Sequence, residues 1–184
     1  MCRVTMLIMV QGGRTMGRLY FSSALAGAVL TWAAVPAAAS AQDFSAGRII
    51  DRFNYDTLVA VVTEMGGTLE ESPNDGWLIR FPNGTAATAN FTVCADETEQ
   101  SCLGTSIAGR FAKPTDMSDS EIAALVTDYN ARWSAGKSYL TEDGRPVVQT
   151  YIIADGGITM ENYRMQLVVY ADMLQKMYDT IYGE

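Results

Sequence analysis

Residues 130–167 read NARWSAGKSYLTEDGRPVVQTYIIADGGITMENYRMQL, and this stretch determines the fold that we expect for the chain. Gly136 ends a helical pattern, and segments 137–140 and 147–154 are rich in residues that favour strands. Between them, Asp143 and Gly144 are the dipeptide typical of a turn that joins two antiparallel strands. A glycine-rich turn follows, and Thr159 is a typical N-cap for the next helix. The stretch therefore predicts helix, hairpin and helix in that order.

The last helix carries apolar residues around more of its circumference than one packing face requires. One stripe steps by four, four, three, four and three residues: Tyr163, Leu167, Ala171, Leu174, Tyr178 and Ile181. Met165, Val169, Met173 and Met177 lie outside this stripe. Methionine-rich surfaces adapt to varied partners, and large apolar patches are rare on soluble monomers. We therefore expect these four residues either to pack deeply or to contact a second copy or a client protein.

Upstream of residue 130 the pattern alternates between helix and strand. Asn54 begins a segment with apolar residues at helical spacing, and the two glycines at 66–67 end it. Strand segments follow at residues 68–71, 77–81, 86–94 and 102–112, separated by turn residues. Ser118 and Glu121 then form a capping box ahead of another helix. The expected fold class is α+β, an antiparallel sheet with helices in the order α-β(3-4)-α-β(2)-α.

The pattern of the C-terminal half resembles that of the YbjN family. The resemblance is carried by Asn130, Trp133, Lys137, Tyr139, Asp143, Gly144 and the run Gly156, Gly157, Ile158, Thr159 leading to Glu161. It covers roughly residues 50–183. It implies a fold like that of type III secretion chaperones, in which helical surfaces mediate dimerisation and client binding. It also implies no established enzymatic activity, since the family carries only the label of a sensory-transduction regulator.

The first 41 residues have the pattern of a secretory signal peptide. Arg14 and Arg18 precede an uncharged run over residues 19–35, and Ala-Ser-Ala closes the segment at 39–41. We expect cleavage between Ala41 and Gln42, with an uncleaved anchor as the alternative, although a spanning helix needs about 20 apolar residues. Met16 offers an alternative translation start. The expected organisation is a signal peptide at 1–41, a linker at 42–52 and one YbjN-like domain at 53–184.

The net charge and the amino-acid composition exclude several classes of function. The chain has 13 basic and 21 acidic residues, and three of the basic ones precede residue 42, so the remainder has a net charge of about −11. Such a domain repels nucleic acid and anionic lipid. Histidine, the commonest general base and transition-metal ligand, is absent from the chain. We therefore expect no enzyme, no metal and no cofactor; a hydrolase that uses carboxylates alone is the remaining catalytic alternative.

Two cysteines remain after residue 41, and we expect them to form a disulfide. Exported proteins fold in an oxidising compartment, where an even number of cysteines indicates a disulfide first. Strand alternation places Cys94 with Thr92 and Cys102 with Ser106, so both sulfurs share the less apolar face of one hairpin. Two free thiols are the alternative.

The aromatic residues suggest where a partner could bind. Trp133, Tyr139 and Tyr151 are expected either in the core and its rim or lining an exposed groove for a peptide. Together with the four extra apolar residues of the last helix, they form the candidate partner surface. We expect a periplasmic or secreted module that binds protein as an adaptor or chaperone. A second copy of the chain is one of the expected partners, and it would give a homodimer.

The alternative function is a periplasmic domain that senses a small ligand or Ca²⁺. Acidic residues are clustered in two places, Asp96, Glu97 and Glu99 in one and Asp116, Asp119 and Glu121 in the other. Neither cluster has the spacing of an EF-hand loop, so the simpler interpretation is a solvated loop and a helix start.

Overall fold

Three helices pack against one face of a six-stranded antiparallel sheet in the computed structural model, which describes residues 43–72 and 76–183. The elements in chain order are β1 (Ile49–Ile50), α1 (Tyr55–Glu64), β2 (Thr68–Glu71), β3 (Trp77–Arg80), β4 (Ala86–Cys94), β5 (Cys102–Arg110), α2 (Asp119–Arg132), β6 (Lys137–Leu140), β7 (Pro146–Ile153), β8 (Ile158–Thr159) and α3 (Met160–Tyr182). The predicted α+β class is confirmed.

Each helix begins at the cap that the sequence predicts. The Asn54 side chain accepts a hydrogen bond from the Thr57 N–H at 2.9 Å, so α1 begins there. At α2, Ser118 and Glu121 form a complete capping box. At α3, the Thr159 hydroxyl accepts from the Asn162 N–H at 3.0 Å. Because a helix leaves its first N–H groups without intrahelical partners, these side chains determine where each helix starts.

The strand order in the sheet is β2-β3-β4-β5-β7-β6, and every pair is antiparallel. Four of these pairs join strands that follow one another in the chain. The pair β5–β7 is different, because α2 and β6 lie between these two strands in the sequence. The long crossover places α2 beside β6, where the Asn130 side chain binds both backbone groups of Ser138 at 2.8 and 2.9 Å.

One face of the sheet forms the core with the helices. The register aligns Ile79 with Ala87 and Ala89 with Ile107, and these side chains pack in one cluster with α1 and α3. Tyr129 of α2 joins the same cluster. Alternate residues of the same strands point to the opposite face, because successive side chains in a strand alternate. We call this opposite side the open face; Thr88, Ser106 and Tyr151 are among the residues that lie on it and keep exposed surface.

Three strands end one or two residues earlier than predicted. The expected segments 77–81, 102–112 and 147–154 are strands over 77–80, 102–110 and 146–153. At the end of β5, the Phe111 N–H still donates to the Pro146 carbonyl at 2.9 Å. Proline has no N–H to continue the ladder, so regular pairing stops there.

The segment predicted to be a linker is part of the folded domain. β1 pairs with β8 through the partners Ile49–Thr159 and Ile50–Ile158, which gives a second, two-stranded sheet. The N–H of Met160 donates to the carbonyl of Arg48 at 2.9 Å. The folded part therefore begins before residue 53, and a two-residue strand is too short to produce a recognisable alternation in the sequence.

Within residues 43–72 and 76–183, no helix is both long and apolar enough to cross a bilayer.

Candidate functional site

The predicted signal peptide at 1–41, with its cleavage between Ala41 and Gln42, lies outside the residues that the structure describes. Both acidic clusters lie within them. Over the described ranges, no group of three or more His, Cys, Asp or Glu side chains is placed to hold a metal ion. The pKa of Asp96 is lowered by hydrogen bonds from Thr98, and the pKa of Glu121 is lowered by hydrogen bonds from Ser118. Both carboxylates thus organise their own loop or helix start.

Cys94 and Cys102 lie directly opposite each other in the β4–β5 hairpin. Their sulfurs are at bonding distance, 2.04 Å, and their Cα atoms are 3.8 Å apart. The burial differs from the expectation of a polar face: Cys102 has no exposed surface and belongs to the apolar core. The reason is Phe53, whose N–H and carbonyl both bond to Cys102 and which covers it from the segment before α1. Oxidation of this pair in the cell remains a prediction.

The extra apolar residues of α3 separate into two groups. Met173 and Met177, predicted as candidate partner residues, are buried in the core. They are covered because α2 lies against α3; the Tyr129 hydroxyl donates to the Met173 carbonyl at 2.8 Å. Since α3 packs against both the sheet and α2, it buries a wider arc than a helix with one packing face.

Met165 and Val169 stay on the surface, together with Val168, an apolar residue outside the core stripe that was not included in the predicted partner surface. Their exposed fractions are 43% for Met165, 37% for Val168 and 44% for Val169. At three and four residues apart, they are neighbours on one side of the helix. We call these three residues the α3 patch. Val168 could have been found from this spacing once the buried stripe was assigned.

A groove of about 430 Å³ runs beside the α3 patch, between α3, the end of α1 and the β3–β4 turn. Met65, Pro82, Val168 and Ala171 give it apolar walls. The turn is held against the helix by Asn83, whose side-chain amide donates to the Ala171 carbonyl at 2.9 Å. The groove is therefore formed by three elements that are fixed to one another.

Charged residues border the α3 patch in pairs. Arg164 binds Glu161 through two hydrogen bonds of 2.6 and 2.8 Å, and these hold the pKa of Glu161 below its ordinary value. Farther along the helix, Lys176 pairs with Asp172. Because the neighbouring charges neutralise each other locally, the apolar residues are the distinctive chemistry of this surface.

Trp133, Tyr139 and Tyr151 do not share one groove. Trp133 is half-buried at the end of α2, where the Lys176 ammonium lies 4.4 Å from the ring centroid. The two tyrosines lie on the open face, but the pair Lys137 and Gln149 lies between them in the register.

Tyr151 is fixed in place across the sheet. Its hydroxyl lies 2.8 Å from that of Thr92, and its ring crosses Gly104 so closely that a Cβ there would be 2.1 Å from the tyrosine oxygen. The exposed residues predicted to form one partner surface therefore lie in three separate places: on the α3 patch, on the open face of the sheet, and at the end of α2, where Trp133 lies.

The buried tyrosines are structural groups. Burial raises the pKa of Tyr129, Tyr163 and Tyr170 above 10, so their hydroxyls stay protonated. Tyr129 and Tyr170 use their protons to bind backbone carbonyls in the interior. These two hydrogen bonds hold α2 against α3 and α3 against the sheet.

Comparison with known proteins identifies the family. The family model of YbjN, described as "Putative bacterial sensory transduction regulator", matches residues 54–182. The crystal structure of YbjN from E. coli, described as "a putative transcription regulator", superimposes with a TM-score of 0.52 at 16% identity, covering 71% of this chain and 91% of that chain. A comparison with curated proteins gives no match. The structural likeness supports the fold, and the family match covers most of the chain. The chain belongs to the YbjN family.

Proposed function

We propose that this protein is an exported, non-enzymatic module that binds a protein partner through the α3 patch and the groove beside it. The observation that carries the proposal is the exposure of Met165, Val168 and Val169 together on one side of a helix that buries most of its other apolar residues. Adjoining apolar side chains of this size on a soluble domain are typical of interaction surfaces.

The shape of the surface supports this proposal. The patch adjoins the groove lined by Met65, Pro82 and Ala171, so an apolar side chain of a partner could enter between fixed walls. Such a pocket beside an exposed patch is the arrangement in which a few buried contacts provide most of the binding energy. Methionine at position 165 adds a side chain that adapts to different partners.

Export is supported by the sequence of the first 41 residues and by the paired cysteines. A basic segment, an uncharged run and Ala-Ser-Ala form a signal-peptide pattern. Cys94 and Cys102 are placed where an oxidising compartment would link them. The family description as a sensory-transduction regulator agrees with a binding role, and a partner in the cell envelope would connect that role with export.

The test is a double substitution on the patch. Met165→Asp with Val169→Asp places two charges on exposed positions, so the domain should stay folded while capture of its partner from envelope extract falls at least tenfold. Ile153→Asp is the matched control, because it makes the same kind of change at a residue 57% exposed on the open face. Size-exclusion chromatography with light scattering reports whether the partner is a second copy. Equal capture by the parent, the patch variant and the control would remove α3 from the binding surface.

A second candidate function is the sensing of a small ligand. It is favoured by a depression on the open face that is lined by Arg110 and Arg145. Thermal-shift measurements against small anions and Ca²⁺ would detect it.

A further inference from the structure

The open face of the sheet contains a trough of about 490 Å³ at the end nearest the β6–β7 turn. Its floor consists of small side chains from the two central strands, with Ala86 and Thr88 from β4 and Ala108 from β5. The register places Thr88 directly opposite Ala108, so these side chains meet at the centre of the face. Because the larger Leu78 lines the trough from β3, the small residues lie below their neighbours and form a depression.

Two arginines lie at one end of this trough. Arg110 is the last residue of β5, and Arg145 immediately precedes β7. The hydrogen bond from the Phe111 N–H to the Pro146 carbonyl holds the two strand ends together, so the arginines are anchored side by side. A third, Arg80, lies opposite Ala86 on the same face but outside the trough, and it pairs with Glu70 at 3.5 Å. With neighbouring strands about 4.8 Å apart, the Cα atoms of Arg80 and Arg110 are about 10 Å from each other.

The charge of the trough is opposite to that of the chain. The described residues that line it include no Asp or Glu, although the chain contains 21 of them. Arg110 forms no ion pair with any residue in the described ranges. Arg145 uses its Nε for Asp143 at 2.8 Å, which leaves the other N–H groups of its guanidinium to bind a ligand. An unpaired cation over an uncharged floor is an environment that favours an anion.

We propose that this trough binds a small molecule with two or more carboxylate groups, which pair with Arg110 and Arg145 while its carbon skeleton lies over Ala86 and Ala108. The planar guanidinium matches a carboxylate through two parallel hydrogen bonds, which a lysine ammonium cannot form. The volume is in the range of small-molecule sites, about 300–1,000 Å³. This inference rests on the ligand-sensing function and is independent of the α3 patch.

Isothermal titration tests the proposal with citrate and succinate as probes, on protein purified from the cells that make it and at constant ionic strength. We expect saturable binding of both probes, with acetate at least tenfold weaker because it can satisfy only one arginine. Arg110→Gln should weaken citrate binding about tenfold or more, the effect of losing a charge-assisted pair. Ala86→Leu should weaken it similarly by filling the floor at an exposed strand position that tolerates a larger side chain.

Arg132→Gln is the matched control. It removes the same charge from α2, where Arg132 pairs with Asp128 at 2.9 Å, and it should leave citrate binding within twofold of the parent. Val169→Asp should also bind citrate normally, so loss of partner capture and loss of ligand binding are separate results. The proposal is overturned if citrate does not bind saturably, if phosphate binds and citrate does not, or if Arg110→Gln and Arg132→Gln have equal effects.

Discussion

Replacing Tyr170 with phenylalanine should lower the free energy of unfolding by about 2–4 kcal/mol. The Tyr170 hydroxyl is buried between α3 and the sheet, where it donates to the Val148 carbonyl at 2.7 Å and accepts from the Gly109 N–H at 2.7 Å. These two backbone groups belong to opposite residues of β5 and β7. One side-chain oxygen therefore holds the helix against the pair of strands that the long crossover brings together.

The magnitude follows from what the substitution leaves behind. Phenylalanine keeps the apolar contacts of the ring but leaves one buried donor and one buried acceptor without their partner. Each such group costs about 1–3 kcal/mol. Gly109 and Val148 face each other, so partial pairing between them would bring the total towards the lower end of the range.

Urea denaturation followed by tryptophan fluorescence measures this loss. With a slope of about 2 kcal/mol per M, the midpoint should fall by about 1–2 M at unchanged slope. Tyr178→Phe is the matched control: it removes the same atom from the same helix, and the Tyr178 hydroxyl has no hydrogen bond to any residue that the structure describes. Its midpoint should stay within about 0.3 M of the parent. A Tyr170 variant as stable as this control would refute the role assigned to the hydroxyl.

The same residue should make stability depend on alkaline pH. Burial raises the pKa of Tyr170 above its ordinary value of 10.0, so in this range the unfolded chain loses the proton and the folded chain keeps it. Stability is therefore unaffected below pH 10 and falls as pH rises above it, by up to about 1.4 kcal/mol per pH unit for this group. The phenylalanine variant should lose stability less steeply between pH 10 and 11.5, and parallel curves would contradict the argument.

Three further predictions concern export, the cysteines and a helix cap. Intact-mass analysis of protein exported by its host should find a chain that begins at Gln42, and recovery of the uncleaved chain in membranes would contradict cleavage. Non-reducing peptide mapping should find Cys94 linked to Cys102, and reduction should lower the free energy of unfolding by about 2–3 kcal/mol in a urea titration. Ser118→Ala should cost about 1 kcal/mol at pH 7 in the same assay. Because hydrogen bonds from Ser118 lower the pKa of Glu121 in the folded state, the part of this stabilisation that comes from the Glu121 carboxylate should be lost as pH falls through that pKa. A cost of Ser118→Ala that does not decrease on acidification would contradict the role of the carboxylate in the capping box.

Local signals in the sequence were sufficient to predict most of the helices and strands. Asn54, Ser118 and Thr159 determine the helix starts because each satisfies backbone N–H groups within its own first turn. Asp143 and Gly144 specify the β6–β7 hairpin because Gly144, at φ 77°, adopts a backbone conformation that other residues rarely take. These interactions span only a few residues, so they can be predicted without knowledge of the fold. The same stretch carried the family pattern, which the family match confirms.

Burial on α3 depended on contacts that are distant in sequence. Periodicity separated a core stripe from the remaining apolar residues but could not determine which of these another element covers. Met173 and Met177 are buried because α2 packs beside α3, whereas Met165 and Val169 remain exposed because no described element covers that side. The sequence determined that the apolar residues of α3 extend around more of the helix than one packing face requires. The position of α2 decided which of these residues are buried and which stay on the surface.

The sequence by itself determined the helices, the hairpins, the fold class and the family, because capping, turn chemistry and hydrophobic periodicity act within a few residues. Only the tertiary structure decided that β5 pairs with β7, that the segment before residue 53 joins the domain, and that Arg110 and Arg145 share one trough. These features arise from hydrogen bonds between backbone groups far apart in the chain. Backbone groups are the same in every residue except proline, so side-chain patterns alone do not specify which distant strands will pair.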